Sequence, residues 1–416
     1  MDLAAVKDRI STEVERRADL LVEASHEIWA HPELNFEERF AHDLLTSLLD
    51  DAGVEVERGA FGVDTAFVAR AGTEGPTIAV LCEYDALPGI GHACGHNIIG
   101  TAGLGAGLVA ATLADELGGR VVILGTPAEE GGGGKVFLAE RGALDGIDAA
   151  MMVHPAGQDL ASMDVIAIHT FDADYHGEEA HAAAFPHKGR NALDAAVLGY
   201  NAVAALRQHI RPDERIHGIF THGGDKPNIV PAFASAFWYV RSPTLKSLAK
   251  LKPRVEACLE AGAMAAGCSC EIRWREPAYA DMLDCAPMVA AYAANAERTG
   301  RTLLDPKAAP FPVVGSTDMG NVSYVVPSIH PMVAVAPPHV SIHTPEFADH
   351  ARAAAGDRAV VDGAKALAMT VADLWAQPDL VAAAKEAHRR DLERVGGTAG
   401  VPGADPAIRT ERPPAR

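Results

Sequence analysis

The stretch Ala79-Val80-Leu81-Cys82-Glu83-Tyr84-Asp85 decides the fold: an apolar run of strand character ends abruptly in acids, and Cys94-Gly95-His96 follows close behind. The same grammar returns twice. Val121-Val122-Ile123-Leu124 leads into Glu129-Glu130, and Ala150-Met151-Met152-Val153 leads into His154. Strands of a parallel α/β sheet bring their carboxyl ends to one edge, where such sheets build their sites. A metal centre at that edge is the economical explanation for three strand ends rich in potential ligands.

Working outward, 416 residues with 48% hydrophobic content can bury a large core and exceed the usual size of one domain. The formal charge of −20 argues against a phosphate-tracking surface, so nucleic acid is not the expected partner. Six cysteines at irregular spacings do not make a disulfide framework, and the acidic start Met1-Asp2-Leu3 lacks a signal-peptide core. A cytoplasmic location is expected. The uncharged run 98–114 is rich in Gly and Ala and short of a spanning length, which predicts a buried helix beside the site and no membrane association.

Apolar positions from Leu3 to Ile28 recur at helical spacing with a break near the middle, and His31-Pro32 ends them. Two β/α alternations follow through His154, which predicts a mainly parallel sheet covered on both faces. From about residue 161 the order changes to strand 165–175, helix 191–208, strands 216–221 and 232–241, helix 245–265 and strand 270–275. That βαββαβ order is the ferredoxin-like sandwich. Helix 288–298 and strands 332–335 and 340–342 then return to the first sheet. The expected fold class is α/β: a metallopeptidase-like catalytic domain of residues 1–164 and 281–393, with an inserted ferredoxin-like lid or dimerisation domain, 165–280. The Gly/Pro/Ala/Arg-rich segment 396–416 has little to bury and is expected to be disordered.

Cys94 and His96 stand two residues apart around a glycine, a spacing that lets thiolate and imidazole share a cleft. Adjacent carboxylates such as Glu129 and Glu130 cannot point the same way, so one can bind metal while its neighbour faces a water as general base. Alone, an acidic pair is usually a solvated turn and a strand-end histidine a core residue. With His154 and His343, the set Cys94, His96, Glu130, His154 and His343 supplies five N, S and O ligands. Five suit two divalent ions better than one closed structural site, with zinc, manganese or cobalt all compatible. Lys135 follows four glycines, but Val136 stands where a phosphate loop needs Ser or Thr.

These residues also carry a resemblance. Cys82-Glu83-Tyr84-Asp85-Ala86-Leu87-Pro88, Gly91-His92-Ala93-Cys94-Gly95-His96-Asn97, the Glu129-Glu130 block, Met152-Val153-His154-Pro155, Gly315-Ser316-Thr317-Asp318-Met319-Gly320-Asn321 and His343-Thr344-Pro345-Glu346-Phe347 occur in one order. The chain resembles the aminoacylase and carboxypeptidase family of dinuclear metallohydrolases, within it the amidohydrolase branch containing p-aminobenzoyl-glutamate hydrolase and related dipeptidases. The resemblance implies metal ligation by the five residues above, with Glu129 as general base and Asp85 orienting a ligand. It implies that His181 stabilises the oxyanion from a partner subunit of a homodimer, and that Asn228 and Arg241 contact a substrate carboxylate. His222, in a segment just before Asn228, is a further substrate-binding candidate on the tendency of loops to carry function. Asn97 departs from the Asp that follows Cys-Gly-His in the wider branch, which leaves the substrate open.

The expected function is metal-dependent hydrolysis of an amide beside a free carboxylate, in an aminoacyl- or N-acyl-amino acid of dipeptide or aroyl-glutamate type. An acyl-amino-acid deacylase with a lipophilic or aromatic pocket is one alternative. A catalytically silent binding protein for amino-acid conjugates is another, and Glu129 argues against it.

Overall fold

The computed structural model describes residues 2–309 and 313–407. In chain order the elements open with helices α1 (Leu3–Glu15), α2 (Ala18–Ala30) and α3 (Arg39–Asp51), then strands β1 (Val56–Arg58), β2 (Phe67–Ala71) and β3 (Thr77–Cys82). Next come α4 (His96–Leu117), β4 (Arg120–Gly125), α5 (Gly134–Glu140), β5 (Ala149–Met151), β6 (His154–Ala156) and β7 (Asp164–Val165). The middle of the chain holds β8 (Ala167–His176), α6 (Ala192–Leu206), β9 (Arg215–His222), β10 (Phe233–Ser242), α7 (Leu245–Ala265) and β11 (Ser269–Tyr279). The remainder is α8 (Ala286–Glu297), β12 (Val314–Gly315), α9 (Met319–Val325), β13 (Ser328–Ile329), β14 (Met332–Ala334), α10 (Pro345–Ala351), α11 (Ala354–Ala376) and α12 (Pro378–Val395). The chain divides into two compact units, residues 1–164 with 282–416, and residues 165–281.

The first unit is built on a six-stranded sheet of order β1-β2-β4-β3-β5-β13. Its β4-β3-β5-β13 portion is parallel, while β1 and β2 add antiparallel edge strands. Every residue of β3 is buried, the pattern of a strand covered on both faces. Helix α4 lies directly on that strand because its glycines allow it: a Cβ on Gly103 would stand 2.6 Å from the Leu81 carbonyl oxygen. By length and composition α4 could cross a membrane, yet nearly all of it is buried against the sheet and α11.

Three expectations need correction. Strand β14 does not return to the main sheet; β13 does, while β14 pairs with β6 in a separate parallel pair. Pro155 and Pro331 withhold ladder donors at this point, which separates the second pair from the first. Residues 340–342 form no strand: they follow a turn at 338–339 that the Val340 N–H closes on the Pro337 carbonyl, and the preceding Pro337-Pro338 cannot join a ladder. The expected disordered tail is anchored at one point of its described part, with Val401 buried and Asn321 Nδ2 donating to the Pro402 carbonyl at 2.9 Å. Residues 408–416 of that tail lie outside the described residues.

The second unit is a four-stranded antiparallel sheet of order β11-β8-β10-β9 with α6 and α7 on one face. Alternate residues of β10, Ala234, Ala236, Trp238 and Val240, enter the helix-covered core. Thr244 caps α7 with a reciprocal Ser247 pair, which is why its start is legible in sequence.

Candidate metal centre

The centre is assembled at the carboxyl ends of β3, β4 and β5 and from the turn before α10. Past β3, the chain reverses at Gly95, whose φ of +79° only glycine adopts without strain; a Cβ there would also meet Pro155 at 2.8 Å. That reversal opens α4 with His96 and leaves Cys94 just ahead of it. Past β4, Ala128 takes a φ of +61°, an unfavourable value for alanine, immediately before Glu129 and Glu130. Buried Glu38 holds this turn by accepting the Ala128 N–H at 2.9 Å, and the Gly134 N–H closes it on the Ala128 carbonyl. His343 has a φ of +64° and is pinned by its N–H to the Ala93 carbonyl at 2.8 Å.

The side chains converge. Cys94 Sγ is 3.4 Å from His154 Nε2, and His343 Nε2 is 3.3 Å from Glu130 Oε1. His96 Nε2 faces three carboxylates: Glu83 at 3.6 Å, Glu129 at 3.8 Å and Glu130 at 3.9 Å. Three groups place their ligand atoms within 4.8 Å of one another: Cys94, His96 and His154; Cys94, Glu130 and His343; His96, Glu129 and Glu130. All five expected ligands and the expected base are therefore in one cluster. His96 Nε2 and Glu130 Oε1 are buried without a hydrogen bond, the condition in which a cation is the missing partner. The sulfur, nitrogen and oxygen set fits a divalent transition metal.

The surroundings orient the donors. Asp85 Oδ1 lies 3.0 Å from His96 Nδ1, which directs Nε2 toward the cluster, and Asp85 Oδ2 accepts the Glu130 N–H at 2.9 Å. His154 Nδ1 meets the Pro155 carbonyl at 2.7 Å, so it donates there and leaves Nε2 as the donor atom toward metal. Burial pulls His154 down to about 4, with His96 adding to the effect, and keeps it neutral. Burial, then Glu130 and Glu83, hold Glu129 well above the usual carboxylate range. Burial and Asp85 push Glu38 up to about 8.

Sequence reasoning left several members unassigned. Glu83 follows the apolar run 79–82, but only the tertiary fold turns it to His96. Lys135 and Asp318 are buried and joined at 2.7 Å, with Lys135 Nζ also 2.5 Å from Glu83 Oε1. His330 follows β13 and places its buried ring 5.2 Å from that of His154. Its position just past a short strand was the available signal.

The remaining expected site residues belong to the second unit. His181 and Asn228 are neighbours, since Ala182 N–H bonds the Asn228 carbonyl at 3.0 Å. His181 Nδ1 accepts the Ala183 and Ala184 N–H groups at 3.3 and 3.2 Å, which leaves the proton on Nε2. His222 is not in a loop: it is the last residue of β9, pairs with Ser235 and packs against Phe233. Arg241 lies on the helix-free face of β10, six residues from Ser235 and so about 20 Å further along the strand.

A strand-edge cluster of this composition, with buried carboxylates beside thiol and imidazole groups, has the chemistry of a metal-dependent hydrolase. The chain belongs to peptidase family M20/M25/M40, whose model matches residues 74–373. It is 37% identical over 406 residues to a Xaa-Arg dipeptidase of Mus musculus, covering 94% of both chains. It is 28% identical to one of the component chains of the p-aminobenzoyl-glutamate hydrolase of Escherichia coli, covering 92% of this chain and 94% of that one. Its fold is shared with a Bacillus subtilis dinuclear metal-binding peptidase of the M20 family at a TM-score of 0.67 and 19% identity, covering 86% of this chain and 99% of the other. The protein is a metal-dependent amidohydrolase of dipeptidase type, and its centre is a divalent-metal site.

Proposed function

We propose that this chain hydrolyses dipeptides, or aminoacyl conjugates of similar size, at an amide beside a free carboxylate, using two divalent ions held by Cys94, His96, Glu130, His154 and His343. The carrying observation is the overlap of the three ligand groups, which share Cys94, His96 and Glu130 pairwise as adjacent ions require. When bound, the ions supply Lewis acidity to the amide carbonyl and make a water nucleophilic at neutral pH. Glu129 takes the proton of that water and returns it to the leaving amine. Its carboxylate lies 3.8 Å from His96 Nε2, at the centre of the ligand cluster. The similarity to a Xaa-Arg dipeptidase over nearly the whole chain supports dipeptides over aroyl-glutamates as the substrate class.

In this reading His181 donates Nε2–H to the developing oxyanion, the tautomer that its two backbone donors select. Arg241 holds the substrate carboxylate through a two-point contact, Asn228 stands beside His181, and His222 ends β9 against Phe233. A dipeptide spans only about 7 Å, so one copy of the inserted unit cannot offer both the His181 end and the Arg241 end of its sheet to one substrate. This favours a homodimer in which the two ends come from different subunits. The exposed apolar residues Ile219 and Phe220 on edge strand β9, with Val197 and Leu198 on α6, supply a surface for such pairing. Six free cysteines support a reducing, cytoplasmic setting.

The test is release of free amino acid from Xaa-Arg and other dipeptides, p-aminobenzoyl-glutamate and N-acyl amino acids, using chelated protein refilled with zinc, manganese or cobalt. Metal-restored cleavage of dipeptides is expected. Silence on every class with intact metal binding would overturn the reading and favour a binding protein.

A further inference from the structure

Among the described residues, Lys135 is the ammonium embedded in the carboxylates of the metal centre, and neither the base, the ligands nor the oxyanion donor accounts for it. The side chain is 1% exposed. Its Nζ stands 2.5 Å from Glu83 Oε1 and 2.7 Å from Asp318 Oδ1, and its backbone N–H donates to Asp318 Oδ2 at 2.9 Å. Both partners are fully buried. Asp318, just ahead of α9, thus grips Lys135 at two points and fixes it in the first turn of α5. The ammonium in turn fixes Glu83, whose other oxygen lies 3.6 Å from His96 Nε2.

Resting on the reading of this cluster as a metal centre, we propose that Lys135 is a positioning residue that holds Glu83 turned toward the ion held by His96. Two features make a lysine suit this place. A buried carboxylate is costly without a partner, and a compact ammonium with three donors on a flexible stem can face two carboxylates at once. Lys135 also directly follows the four-glycine turn that carries Glu129 and Glu130, so its anchorage to Asp318 limits the motion of base and ligand alike. Glu83 is then a third carboxylate facing His96, oriented from behind as a ligand's hydrogen-bond partner orients a ligand.

The experiment compares wild type, Lys135→Met, Glu83→Gln and the double variant as full chains. Zinc affinity is read by chelator competition, kcat and KM on a cleaved dipeptide, and folding by thermal melts with and without metal. Each single variant is expected to lose about 10–100-fold in metal affinity or kcat, with KM changing less than about threefold. The double variant should be no worse than the poorer single, because both substitutions remove one arrangement. A folded Lys135→Met protein with wild-type metal affinity and kcat would overturn the proposal, as would losses that multiply in the double variant. A purely structural lysine would lower the melting temperature and leave kcat and metal affinity intact. If Lys135→Met does not fold, the neutral pair Lys135→Met with Asp318→Asn replaces it and must show the same loss, and unchanged metal affinity there counts against the proposal. Wild-type protein that binds no zinc in the same competition would overturn the metal-centre reading itself.

Discussion

Of the chain's 36 basic and 56 acidic residues, the inserted unit holds 13 of each, whereas the metal-binding unit keeps 23 and 43 and with them the whole formal charge of −20. The two units also handle their charges differently. On the helix-free face of the inserted sheet, acids and bases face each other across neighbouring strands, Arg273 with Asp174 and Arg275 with Asp172, each at 2.7 Å. Such cross-strand pairs are satisfied locally. In the metal-binding unit, Glu83, Asp85, Glu129 and Asp318 are buried together, and Glu130 lies beside them with Lys135 at their edge. A self-contained surface needs no further cation, but this carboxylate-rich interior calls for them. The contrast separates a scaffold that presents groups from a centre that collects ions.

Glu129→Gln carries the largest expected effect. It keeps the shape of the turn and removes the proton acceptor, so kcat should fall about 10²–10⁴-fold while bound metal stays at its wild-type stoichiometry. Steady-state kinetics with metal analysis would check it, and unchanged turnover would remove Glu129 from the mechanism. A second test sharpens the division of labour. His181→Ala touches an exposed side chain and should cost about 10²–10³ in kcat with little change in melting temperature. Mixing it with the Glu129→Gln variant should restore part of the activity if the inserted unit serves its partner's centre, and inactive mixed dimers would place His181 in its own subunit. The smallest effect concerns the charge itself. The catalytic unit's negative field should favour a cationic Xaa-Arg dipeptide, whose kcat/KM is expected to fall about two- to tenfold between roughly 0.01 M and 1 M salt. Dianionic p-aminobenzoyl-glutamate should show a flat or opposite trend; equal falls for both would deny the field a role.

Much of this architecture was legible beforehand because the signals are local. Helix α7 begins and ends where its apolar spacing and Thr244 cap put it, and α1 and α2 part near the middle of their shared periodicity. The strand ends that carry Cys94, Glu130 and His154 could be read for the same reason: an apolar run followed by ligand-type residues is a feature of neighbours in sequence. The strand assigned to 340–342 failed on equally local chemistry, since Pro337 and Pro338 outweigh a short apolar alternation.

By itself the sequence determined the α/β grammar, the βαββαβ insertion and the residue types gathered at the strand ends, all of which follow from periodicity and turn chemistry within a few residues. Only the tertiary structure decided that Glu83 faces His96, that Lys135 reaches Asp318 across 183 residues of chain while also meeting Glu83, and that Glu38 props the strained turn at Ala128. It likewise decided that Val401 packs instead of trailing in solvent. The reason is physical: a buried charge is tolerated only beside its partner, and the partner's position in space is set by how the sheet and helices pack, which no local pattern records.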